Sequence, residues 1–138
     1  MPDYLVATKI ALPPSAPNPV VRLRLNQMLS AGLNPGIRLI LISAPAGFGK
    51  STQVSTWISS LATKKAAPGE PATPRVAWLS LDSDDNDPAR FLAYLNAALE
   101  HAQAGLSQSM IHLDAAGAPS IKALFAQLIN QITQLGSP

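Results

Sequence analysis

One loop limits the possible folds of this chain more than any other part of its sequence. It is the segment Ala44-Pro45-Ala46-Gly47-Phe48-Gly49-Lys50-Ser51, which is followed by Thr52. Residues 37–43 before it are mainly Ile and Leu, as is typical of a buried parallel strand. Residues 51–61 after it place their apolar side chains three and four positions apart, on one face of a helix. A strand, a loop and a helix in this order predict an α/β fold.

The loop has the residue types of a phosphate-binding loop. Gly47 and Gly49 allow the backbone N–H groups to point inward, so that they and the next helix N-terminus form an anion site. The strict pattern G-x-x-x-x-G-K-[ST] has glycine where this chain has Ala44. The residues of the loop that we predict to bind a nucleotide are Pro45, Ala46, Gly47, Phe48, Gly49, Lys50, Ser51 and Thr52.

Three side chains of the loop have separate expected roles. Lys50 is a point charge that can reach the β- and γ-phosphates. The hydroxyl of Ser51 is placed to ligate Mg²⁺, and Thr52 is within reach of an α-phosphate. The predicted cofactors are therefore ATP and Mg²⁺.

Composition excludes several other classes of protein. The chain has no cysteine, so disulfides, thiol nucleophiles and cysteine-bound zinc are excluded. It has neither an apolar run long enough to span a membrane nor the layout of a signal peptide, and we expect a cytoplasmic protein without a membrane partner. Hydrophobic residues make up 47% and charged residues 13%, which favours part of a larger assembly whose apolar faces have partners. The net charge of +2 comes from scattered residues and indicates no nucleic-acid patch.

The domain prediction is an extended arm over residues 1–19 and one domain over residues 20–138, with a Pro/Gly/Ala linker at 63–74. Helices are predicted from residue 20 to 29, 51 to 61, 88 to 105 and 121 to 135, and strands at 37–43 and 76–81. Two strands do not make a covered sheet. The expected fold is a three-layer α/β fragment of a P-loop NTPase, in which helices flank parallel strands and the sheet is incomplete.

Asp82 is the one candidate catalytic residue. Hydrolysis of ATP requires a second carboxylate at the end of another buried strand, and Asp82 ends the run 76–81. The alternative is that the acidic loop 82–87 caps the following helix, which begins at Asp87-Pro88. Both interpretations remain open on the residues alone.

Three blocks of the sequence carry a resemblance to a known family. They are residues 8–25, the loop 43–52 with Trp57, and residues 76–99, which include Val76-Ala77-Trp78-Leu79-Ser80-Leu81-Asp82 and Asp85-Asn86-Asp87-Pro88. Together they resemble the N-terminus of the MalT-like, large ATP-binding LuxR-family transcriptional activators, which belong to the signal-transduction ATPases with numerous domains (STAND). The resemblance extends from about residue 5 to residue 135.

This resemblance implies an ATP-dependent regulatory switch. In such proteins an ATPase domain precedes a sensor domain that binds an inducer and a helix-turn-helix that binds DNA, and ATP with inducer favours self-association. The resemblance also places Val21 and Arg22 against the adenine. Sequences matching the sensor repeats, the DNA-binding domain and the Asp-containing strand of the family do not occur here, so DNA and inducer would be bound only by other parts of the full-length protein. ATPase activity is likewise expected only there, and this chain is expected to bind without hydrolysing.

Two further functions compete with this interpretation. One is a small stand-alone P-loop phosphotransferase of the kinase type that uses Asp82. The other is a nucleotide-free interaction module that associates through an apolar stripe on the last helix, formed by Leu124, Phe125, Leu128, Ile132 and Leu135.

Overall fold

A computed structural model of the chain describes residues 5–37, 39–63, 68, 74–104 and 120–135. These residues contain four α-helices: α1 is Leu23–Ala31, α2 is Lys50–Thr63, α3 is Pro88–Ala102 and α4 is Ile121–Leu135. Two short 3₁₀ turns, Ala7–Lys9 and Ser83–Asn86, accompany them. The predicted linker 63–74 lies almost wholly outside the described residues.

The predicted three-layer α/β fold is wrong, because the described part of the chain is helical and contains no strand. The segments at 37–43 and 76–81 have the composition of strands, but their described residues form no strand ladder. In the first segment Leu39 is 83% and Leu41 85% exposed. In the second, Ser80 N donates to Lys9 O at 2.8 Å, which is a single bond rather than a ladder. β-Propensity reflects packing on a sheet, so it does not produce a strand without partners.

The predicted helices are confirmed, and their caps explain where two of them begin. The Asp87 side chain accepts a hydrogen bond from Arg90 N at 2.9 Å, and Pro88 occupies the first turn of α3. Ser120 Oγ accepts from Ala123 N at 3.3 Å at the start of α4. Gly32 ends α1, with its N–H bonded to Leu29 O and Met28 O. These short-range signals act within one turn, which is why the sequence alone predicts them.

The chain forms two compact units, of which the first combines residues 1–12 with residues 75–138. Its helices α3 and α4 pack through the buried side chains of Leu92, Leu124 and Leu128. A second cluster forms where the N-terminal segment contacts α3, and its buried members are Leu5, Ile10, Tyr94 and Ala98. The N-terminal residues are thus part of a core.

The second unit comprises residues 13–74 and contains α1, α2 and the loop between them. Its buried side chains include Leu29 of α1 and Trp57 of α2. Trp57 Nε1 donates to Ser30 Oγ at 3.0 Å, and Gln53 Nε2 donates to Asn26 Oδ1 at 2.6 Å. These two hydrogen bonds lie one helical turn apart and hold α2 against α1. They thereby fix the position of α2 beside the loop.

Within the described residues, none of the helices is both long and apolar enough to cross a membrane.

Candidate functional site

The loop that precedes α2 adopts a conformation that only glycine takes readily. Gly47 has a φ of 83° and Gly49 a φ of 78°, both in the left-handed region. Apart from the adjacent residues of the chain, no described heavy atom lies within 4 Å of the place where a Cβ would stand on either residue. The glycines are therefore required by the backbone conformation and not by crowding, and they leave open space above the loop.

Helix α2 begins at Lys50, directly after the second of these glycines. The first backbone hydrogen bond of the helix runs from Gln53 N to Gly49 O at 2.9 Å. The N–H groups of Lys50, Ser51 and Thr52 precede it and have no acceptor inside the helix. These groups and the partial positive charge of the helix end make this place suited to an anion.

The side chain of Lys50 folds back over the loop. Its Nζ donates to Ala44 O at 2.5 Å and to Pro45 O at 3.1 Å. An ammonium group has three N–H donors, so one donor is left for another acceptor. The loop carbonyls thus hold the positive charge of Lys50 close to the start of α2.

A cavity of about 260 Å³ lies beside the loop, inside the second unit. One wall is formed by Gly49 and by the face of α2 that carries Thr52, Gln53 and Thr56, and the other by the segment before α1. The lining residues are Ala16, Asn18, Pro19, Val20, Arg22, Gly49, Thr52, Gln53 and Thr56.

The structure brings some of the predicted site residues to this cavity and leaves others outside it. Gly49, Thr52 and Arg22 line it together, although they come from separate stretches of the sequence. Val21 does not line it and is 61% exposed, whereas its neighbour Val20 does. Phe48 is 65% exposed on the loop.

Six lining residues were not predicted from the sequence as site residues: Ala16, Asn18, Pro19, Val20, Gln53 and Thr56. The spacing of Gln53 and Thr56 carries a usable signal. Positions 49, 52, 53 and 56 are separated by three, one and three residues, which places them on one helical face. The involvement of Asn18 could not be predicted, since it depends on how the proline-rich segment runs past α2.

Asp82, the predicted catalytic carboxylate, is occupied by structural contacts. Its Oδ1 accepts from Asp84 N at 2.9 Å, and its Oδ2 lies 2.8 Å from Lys9 Nζ. Asp82 caps the short 3₁₀ turn Ser83–Asn86, whereas the cap of α3 is Asp87, the last residue of the acidic loop. The Asp82 side chain is 50% exposed, and its catalytic role stays a prediction.

An ionic cluster centred on Lys9 joins the N-terminal segment to the acidic loop within the first unit. Lys9 Nζ lies 2.5 Å from Asp85 Oδ2 and 4.8 Å from the centre of the Tyr94 ring. The Asp85 side chain is 3% exposed, and Arg90 Nε stands 3.6 Å from its other oxygen. The hydrogen bond from Lys9 is the main cause that lowers the pKa of Asp85, while hydrogen bonds to Asp82 and then Asp85 raise the pKa of Lys9.

The apolar stripe of α4 is largely covered within the chain. Leu124 and Leu128 are buried against Leu92 of α3, and the Phe125 ring centre lies 6.3 Å from that of Phe91. Ile132 is 45% exposed, and the side chain of Leu135 lies outside the described residues. Most of the stripe therefore packs within the first unit.

Comparison with known proteins places the chain in a family. It is 36% identical over 135 residues to the HTH-type transcriptional regulator MalT of Cronobacter sakazakii, a match that covers 97% of this chain. The MalT regulators of Yersinia enterocolitica and Serratia proteamaculans are 35% and 36% identical, also over 97% of the chain. The chain is a MalT-like sequence. It spans only 13% of the length of these relatives.

The other two comparisons found nothing further, because no family model and no solved structure matches the chain. The resemblance predicted from the three sequence blocks is confirmed, and with it a relation to transcriptional regulators.

Proposed function

We propose that this MalT-like chain binds ATP with Mg²⁺ through the loop 44–52 and serves as the nucleotide-responsive part of a transcriptional regulator. The observation that carries the proposal is the combination of two left-handed glycines, a helix N-terminus and a lysine ammonium at one place. Each of these favours an anion by a different physical effect. Their coincidence in a loop bordered by a cavity favours a phosphate chain with a larger group attached.

The loop supplies donors for phosphate oxygens in two forms. The N–H groups of Lys50, Ser51 and Thr52 precede the first bond of α2 and are free to donate. The third donor of the Lys50 ammonium adds a charged hydrogen bond, which is stronger than one between neutral groups. The open space above Gly47 and Gly49 allows the phosphates to approach the backbone closely.

For Mg²⁺ the chain offers few ligands of its own. The Ser51 hydroxyl is the proposed ligand, and phosphate oxygens and water would complete the octahedron, as is usual for this ion. Among the described residues no group of three or more His, Cys, Asp or Glu side chains is arranged to hold a metal. These residues fit a metal that arrives with the nucleotide, and the bound ion would neutralise phosphate charge.

In the regulator, nucleotide binding would control self-association, and DNA and inducer would be bound by other parts of the full-length protein. The relatives are named as HTH-type transcriptional regulators, which supports the regulatory role. Binding without hydrolysis remains our expectation for this chain, and so does a cytoplasmic location.

The test is calorimetric titration of MgATP into the parent chain and into its Lys50→Met variant. Methionine keeps the length of the side chain but removes the charge and all three donors. A hydrogen bond to a charged group contributes about 1.5–3 kcal/mol, so we expect binding to weaken about ten- to hundredfold.

The matched control is Lys122→Met, which changes the net charge by the same amount on an exposed position of α4. It should bind MgATP as the parent does. If the parent fails to bind, or if both variants bind equally well, the loop is not a nucleotide site and the proposal is wrong.

A further inference from the structure

Helix α2 carries a row of hydroxyl side chains, and most of those in its middle and end bond to the helix backbone. Ser55 donates to Thr52 O at 3.2 Å and Ser59 to Ser55 O at 2.9 Å. Ser60 donates to Trp57 O at 2.6 Å, and Thr63 follows the same pattern with Ser60 O. Hydroxyls within a helix are ordinarily satisfied in this way.

Thr56 departs from this pattern. Its Oγ1 is shielded from solvent and has no hydrogen-bond partner among the described residues. A shielded hydroxyl without a partner costs free energy, and such groups are uncommon in folded proteins. Thr56 also lines the cavity beside the loop, as does Thr52 one turn earlier.

We infer that the Thr56 hydroxyl binds the nucleoside part of the nucleotide, a contact that rests on the proposed function of the loop. Thr56 stands six residues after Lys50 on α2, which is about 9 Å along the helix axis. Phosphates held at the helix N-terminus would therefore lie about 9 Å from Thr56 along the helix axis. The group that reaches Thr56 is therefore a ribose hydroxyl or a polar edge of the base.

The shape and lining of the cavity agree with this assignment. Its volume of about 260 Å³ is just below the range of roughly 300–1,000 Å³ of pockets that hold whole small molecules, so it suits part of a nucleotide. Gln53, which lies between the loop and Thr56, is held by its hydrogen bond to Asn26. The wall that a nucleoside would touch is thus fixed before the ligand arrives.

The experiment compares two ligands on three chains. MgATP and magnesium tripolyphosphate, which has the phosphates without the nucleoside, are titrated into the parent, Thr56→Val and Thr56→Ser. Valine has the shape of threonine without the hydroxyl, and serine keeps the hydroxyl without the methyl group. A thermal melt of each chain shows whether the variants fold as the parent does.

We expect Thr56→Val to bind MgATP about two- to tenfold more weakly than the parent, which is the effect of one neutral hydrogen bond. Its binding of tripolyphosphate should be unchanged, and Thr56→Ser should bind both ligands within about twofold of the parent.

The outcomes that overturn the inference differ from those that overturn the proposed function. If the parent binds MgATP and Thr56→Val binds it equally well, or if the variant loses affinity for both ligands alike, Thr56 does not contact the nucleoside. The loop proposal would then stand. If the parent binds neither ligand, both the loop proposal and the role of Thr56 are wrong.

Discussion

Replacing Leu128 by alanine tests whether the apolar face of α4 is a core or a surface for a partner. Leu128 is 4% exposed and packs with Leu92, 5% exposed, and Leu124, 9% exposed. Truncation of a buried leucine costs about 2–5 kcal/mol, and the cost is lower where the neighbours can move into the space. Since α4 is covered on one side only, we expect about 2–3 kcal/mol.

The control is the adjacent residue. Ile129 has the same number of carbon atoms as Leu128 but is 60% exposed. Its replacement by alanine should change the free energy of unfolding by no more than about 0.5 kcal/mol. Because both substitutions are in the same turn, a general effect on the helix would appear in both variants.

The assay is a thermal melt followed by far-UV circular dichroism, with sedimentation velocity on the same samples. For a unit of this size each kcal/mol lowers Tm by about 4–8 °C, so Leu128→Ala should melt roughly 10–20 °C below the parent. Equal melting temperatures of the two variants would refute the core assignment. A Leu128→Ala chain that keeps the Tm of the parent but loses self-association would favour the interaction module instead.

Two further predictions concern the ionic cluster around Lys9 and the glycine loop before α2. Lys9→Met should lower Tm, because it leaves the Asp85 carboxylate without its main partner. The lowered pKa of Asp85 stabilises the fold above the ordinary value of 3.8, and the raised pKa of Lys9 does so below 10.5. The Tm difference from the parent should therefore be constant between about pH 5 and 9 and shrink in acid below the ordinary Asp85 pKa; a difference that grows in acid would contradict the pairing. Gly49→Ala should destabilise the chain by about 1–2 kcal/mol because of its positive φ, and Gly49→Asn by less, since asparagine tolerates this region. Equal denaturation midpoints for the Ala and Asn variants would rule out backbone strain as the cause.

Much of the local structure could be predicted because its causes lie within one or two turns of chain. The start of α3 follows from Asp87 and Pro88, and the left-handed glycines follow from the loop motif. The relation to MalT regulators could be recognised because three separate blocks of sequence match together. None of these depends on how distant parts of the chain meet.

The prediction of a parallel sheet was wrong, because the composition of a segment does not show whether it has a strand to pair with. Residues 37–43 have the composition of a buried strand, but the side chains of Leu39 and Leu41 are mostly exposed. Composition reports what a segment can do beside a suitable neighbour. Whether that neighbour is present depends on the tertiary structure.

The sequence by itself determined the helices, their caps, the conformation of the glycine loop and the family. The tertiary structure alone decided that Lys9 pairs with Asp85 and that Arg22 and Thr56 line one cavity. The physical reason is the separation along the chain of the residues that interact. Backbone conformation and capping depend on neighbours along the chain, whereas burial, ion pairs and cavities depend on residues that only folding brings together.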